Sequence, residues 1–186
     1  GEQFEFAKHN IKWKMNGDQF ILEIDGKTYN FNDQLTRNNV WGSSKDIPFY
    51  VNHLEEVSQY IIDNREILLL KFGYAYCNGL GCGIQYYIVY DSKNKSPNWF
   101  GHFRNWSKPH LVSMDSSKIG YIATTFNGRN EFCRDTINYE LFILNDDGVF
   151  NAFTNSNGQP YKIIYYSSMC DSIKQSYSTK EWFDKF

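Results

Sequence analysis

Six Asn-Gly or Asp-Gly dipeptides punctuate the chain: Asn-Gly begins at 16, 78, 127 and 157, and Asp-Gly at 25 and 147. Asn, Asp and Gly tolerate positive φ, which a two-residue hairpin turn requires. Between such pairs lie short runs rich in Tyr, Phe, Ile and Val, the residues that suit a pleated surface. Aromatic residues make up 18% of the chain, which strengthens the same conclusion. The pattern predicts an all-β or β-dominated single domain over residues 1–186, built of antiparallel hairpins and meanders. A sandwich, a barrel or a partial propeller-like arrangement all fit, and no repeat period separates them.

Two regions carry the pattern most clearly. Asn16-Gly17 and Asp25-Gly26 bracket a run in which Phe20, Leu22 and Ile24 alternate, predicting a three-stranded meander over 11–31. The stretch Ile67–Tyr90 places two apolar, aromatic-rich runs on either side of Cys77-Asn-Gly-Leu-Gly-Cys82, predicting a central hairpin closed across its tip. Further strands are expected in 111–114, 119–126, 139–144, 149–153 and 161–166.

One amphipathic helix is expected near 48–63, where Tyr50, Leu54, Val57 and Ile61 recur at spacings of four, three and four, with Asp46 as cap. Ser178 and Glu181 form a capping-box pattern that predicts a short C-terminal helix.

The four cysteines are Cys77, Cys82, Cys133 and Cys170. The first two face each other across a hairpin turn, which leaves Cys133 to pair with Cys170. In the loop-entropy model these bridges contribute roughly 2 and roughly 4 kcal/mol. Disulfides persist in oxidising compartments, so the expected location is extracytoplasmic, periplasmic or secreted, with a signal peptide removed.

Several function classes drop out. The net charge of −2 with scattered cations gives no footprint for nucleic acid. No apolar run reaches the ~20 residues of a membrane span. The histidines at 9, 53, 102 and 110 show no zinc-ligand spacing, so no metal or other cofactor is expected. There is no GxSxG elbow, and the adjacent acids Glu55/Glu56 and Asp146/Asp147 do not converge as an acid–base pair.

Candidate binding residues lie in the ring- and cation-rich stretch Trp99, Phe100, His102, Phe103, Arg104, Trp106 and His110, and in the polar tip Asp115, Ser116 and Ser117. Exposed rings stack on sugars or apolar side chains, while Arg and His add directional donors. The sequence therefore points to a non-catalytic protein-binding module of the bacterial inhibitor or immunity type. The alternatives are carbohydrate binding through Trp99 and Trp106, and a hydrolase using His102 or His110 with Asp115 in a site assembled only in three dimensions.

Overall fold

The computed structural model describes residues 2–17, 19–31, 40–41, 53–73, 85–103, 110–114, 118–129, 134–168 and 175–176. The chain is β-dominated, with no helix among the described residues. It divides into two compact units, residues 1–106 and 107–186.

In the first unit, β1 (Glu2–Phe6), β2 (His9–Asn16), β3 (Gln19–Ile24) and β4 (Lys27–Asn30) form an antiparallel meander in that order. The turns fall where the dipeptides place them: Gly17, Asp25 and Gly26 take φ of 61°, 51° and 78°. The second sheet has the order β5-β9-β8-β7-β6. Its strands are β5 (Val40–Trp41), β6 (His53–Ile62), β7 (Arg65–Gly73), β8 (Gln85–Asp91) and β9 (Ser96–Phe103). The expected central hairpin is there: β7 pairs antiparallel with β8, with Leu70 opposite Ile88. Its tip, with Cys77 and Cys82, lies outside the described residues, as do Cys133 and Cys170.

The two sheets share one core. Alternation on the meander turns Ile11, Trp13, Phe20, Leu22, Ile24, Tyr29 and Phe31 toward Leu68, Leu70, Phe72, Tyr86, Ile88, Tyr90 and Trp99. Trp99 sits at its centre, with ring centroids of Phe20, Phe31, Tyr86 and Phe72 at 5.0, 5.1, 5.2 and 6.2 Å. Aromatic content thus serves sheet-on-sheet packing, where each large ring removes much apolar surface from water.

The expected helix near 48–63 is a strand over its described part. β6 pairs with β7, and a β-bulge between Leu54 and Glu56 inserts one extra residue. The bulge shifts the alternation by one position, so Leu54 and Val57, three apart, both pack on the core. A bulged strand therefore imitates helical spacing, while Ile61, which would complete the helical stripe, is 64% exposed. Residues 42–52 and the expected C-terminal helix lie outside the described residues.

The second unit is one sheet of order β10-β11-β12-β14-β15, with β13 also on β12. The strands are β10 (His110–Met114), β11 (Lys118–Arg129), β12 (Arg134–Leu144), β13 (Phe150–Ala152), β14 (Lys162–Ser168) and β15 (Gln175–Ser176). Asp147-Gly148 and Asn157-Gly158 turn the chain, with glycine φ of 87° and 75°. Asn127-Gly128 does not. It lies within β11, where the register shifts between Phe126 and Arg129, so the dipeptide serves a bulge instead of a hairpin tip.

Candidate binding site

Four hairpin turns gather at one end of the first unit: 7–8, 25–26, 63–64 and 92–95. Three are two-residue turns with positive φ at Ala7 (53°), Asp25 (51°), and both Asp63 (49°) and Asn64 (62°), while Lys95 closes the fourth at 52°. Positive φ at both central residues, as at 25–26 and 63–64, gives a turn whose twist matches the flanking strands, so these two tips continue the sheets without splaying them.

The turns are fastened to one another by polar groups. His9 Nδ1 lies 2.7 Å from Asp25 Oδ2, and its Nε2 lies 3.3 Å from Glu66 Oε2. The Asn10 N–H donates to Asp25 Oδ1 at 2.9 Å, and the Ser92 N–H donates to the Glu66 carbonyl at 3.1 Å. Tyr29 Oη donates to the Lys95 carbonyl at 2.7 Å, and Lys27 Nζ reaches the same oxygen at 3.2 Å. Lys8 Nζ pairs with Glu66 Oε2 at 3.2 Å. Beside them Arg65 grips Asp91 at two points, and Asn94 donates to Asp91 Oδ2 at 2.6 Å.

The carboxyls here are held in the charged form. Burial alone would raise Asp25, but hydrogen bonds from the His9 ring and the Asn10 N–H outweigh it and hold the pKa below the ordinary value. Burial would likewise raise Glu66 and Asp91. Gln59, Lys8 and His9 lower the first, and Arg65 and Asn94 the second, by more. Burial, aided by the Tyr90 hydroxyl, pushes Tyr29 far up, so it remains a neutral donor.

Chemically the cluster clamps; it does not offer a reacting group. His9 is 6% exposed and both its ring nitrogens face carboxylates, so neither is presented to a substrate. Among the described residues no group of three or more His, Cys, Asp or Glu is arranged to hold a metal ion. What the end does present is its rim: Ala7, Lys8, Lys27, Asp63, Asn64, Lys93 and Lys95 are exposed. Glu66 and Asp91 beneath them are held by fixed partners, while Lys8, Lys27, Lys93 and Lys95 are exposed, Lys8 reaching Glu66 and Lys27 the Lys95 carbonyl.

A second polar cluster follows from the β6 bulge. Glu55 Oε2 lies 2.8 Å from Lys71 Nζ and accepts from Gln85 Nε2 at 3.2 Å, while its Oε1 is 3.4 Å from His53 Nε2. A side chain at Gly73 would collide with the Glu55 carboxylate and His53, so the glycine makes room for this cluster. Tyr87 donates to Gln85 Oε1 at 2.9 Å, and burial with Glu55 and Glu56 nearby pushes its pKa up to about 12.

Of the residues singled out from sequence, Trp99 and Phe100 are fully buried, which corrects their expected role as exposed binding rings. His102 and Phe103 fall in β9 and His110 opens β10. Arg104, Trp106, Asp115, Ser116 and Ser117 lie outside the described residues. The hairpin end was legible only in fragments. Asp63-Asn64 between two apolar runs is a turn signal of the same kind as Asp25-Gly26, yet the apparent helix masked it. No family model, curated protein or solved structure matches the chain.

Proposed function

We propose that the chain is a non-catalytic binding module of the inhibitor or immunity type. It acts outside the cytoplasm, and the hairpin end of its first unit engages a protein partner. The observation that carries this reading is the convergence of four turns, cross-tied through His9, Asp25, Tyr29 and Glu66, whose tip side chains are exposed. Loops fixed on a rigid sheet scaffold bind with little ordering cost, which is why binding residues concentrate there. The extracytoplasmic part rests on the even cysteine count and the spacing of Cys77 and Cys82. The sugar-stacking alternative loses one of its two platforms with the burial of Trp99.

The test is a charge reversal. Lys93→Glu and Lys95→Glu together should leave the fold intact by circular dichroism and abolish partner capture. Lys118→Glu with Lys162→Glu, in the second unit, should leave capture unchanged. Capture that survives the first set, or fails equally with the second, sinks the proposal.

A further inference from the structure

The Asn-Gly and Asp-Gly pairs of the chain share one reaction. The glycine nitrogen can reach the side-chain carbonyl of the residue before it and close a five-membered imide. Glycine allows this because no Cβ obstructs the approach of its backbone. The reaction needs a free nitrogen and a free side chain, since a bonded N–H must first give up its acceptor.

Four of these pairs lie at described turns, and the fold ties three of them. Asp25 accepts from the Asn10 N–H at Oδ1 and pairs with His9 at Oδ2. Asp147 Oδ1 accepts from the Val149 N–H at 3.0 Å, and the Gly148 N–H donates to the Asn145 carbonyl at 3.2 Å. The Gly158 N–H donates to the Asn155 carbonyl at 2.9 Å, which holds its nitrogen away from Asn157. Asn16-Gly17 differs. Asn16 ends β2 opposite Gln19, and both it and Gly17 are exposed. Neither the Asn16 carboxamide nor the Gly17 N–H has a hydrogen-bond partner among the described residues. A side chain built at Gly17 would meet nothing within 4 Å, so nothing crowds this tip from that side.

We propose that Asn16 is a site of spontaneous deamidation, set apart from the other described turn pairs by the fold. The Gly17 nitrogen bonds to Asn16 Cγ, the Cγ–Nδ2 bond breaks, and Nδ2 leaves as ammonia with the Gly17 amide proton. Water then opens the imide at one of its two carbonyls. Attack at Cγ leaves aspartate. Attack at the Asn16 backbone carbonyl leaves isoaspartate, whose main chain runs through Cβ and Cγ. Either product adds a negative charge, and isoaspartate lengthens the main chain by one carbon where β2 meets its turn. Asn16 opposite Gln19 and Met15 opposite Phe20 set the register there, so isoaspartate disturbs it beside a fully buried core ring. The site lies at the opposite end of β2 from the turn at 7–8, and it stands or falls independently of the hairpin-end reading.

Incubation of the folded full chain in mildly alkaline heavy-oxygen water, followed by digestion and fragmentation mass spectrometry, tests it. Deamidation at Asn16 should outpace that at Asn157 several-fold, with isoaspartate and aspartate both formed and heavy oxygen incorporated. In urea both pairs lose their folded surroundings, and the two rates should draw together. Asn16→Gln should suppress the reaction at this position, because the longer side chain must close a six-membered ring. An intact Asn16 in the folded chain, or equal folded rates at Asn16 and Asn157, overturns the proposal. So does the same gap persisting in urea, or an undiminished reaction in Asn16→Gln.

Discussion

Arg65 and Asp91 meet at two points, Nε 3.0 Å from Oδ1 and Nη2 2.7 Å from Oδ2, with Asp91 wholly buried. The pair ties the start of β7 to the end of β8 directly beneath the turns at 63–64 and 92–95. Removing one partner strands a buried charge, which costs about 3–5 kcal/mol. Arg65→Ala should therefore lower unfolding free energy by that amount in urea titrations. Arg65→Lys should recover only part, because an ammonium cannot reproduce the planar two-point grip.

Acid should weaken the same end. Asp25, Glu66 and Asp91 all have folded pKa values below their ordinary 3.8, 4.5 and 3.8. A depressed carboxyl contributes stability above its unfolded pKa and loses it as pH falls through the folded value. The melting temperature should therefore be held in this respect from neutral pH to about 5 and fall below about 4. In Asp91→Asn, which removes one of the depressed carboxyls, that acid limb should be shallower.

Trp99 is a packing residue. Trp99→Ala should cost about 3–5 kcal/mol, the range for emptying a large ring from a core. A surface ring would cost within about 0.5 kcal/mol, so equilibrium unfolding separates the two roles cleanly.

The cysteines give a compartment test. Thiol titration of the denatured, unreduced protein should find no free thiol if Cys77–Cys82 and Cys133–Cys170 are both bridged. Four free thiols would remove the extracytoplasmic reading together with both staples.

Much of the fold is legible locally. The meander follows from Asn16-Gly17, Asp25-Gly26 and the alternation of Phe20, Leu22 and Ile24, because turn chemistry and period-two burial are properties of neighbours in sequence. The errors also have local causes. One inserted residue at the Leu54–Glu56 bulge gave β6 the spacing of a helix, and the bulge near Phe126 absorbed an Asn-Gly that reads as a turn. Ring-rich composition at 99–106 marks the core as readily as a surface, and only pairing assigns Trp99 inward. The site itself depends on distance in the fold. His9 meets Asp25 and Glu66 across 16 and 57 residues, a convergence no spacing rule predicts.

The proposed meeting of the first unit's hairpin end with a protein partner can be mapped chemically. Amine-reactive cross-linking in an extract of the organism that makes the protein, followed by peptide mapping, addresses it directly. A captured partner should be joined through Lys8, Lys27, Lys93 or Lys95, and the double Glu variant at 93 and 95 should lose it. Cross-links concentrated instead on Lys118 or Lys162, or a partner retained by the double variant, would rule out the hairpin end as the binding surface.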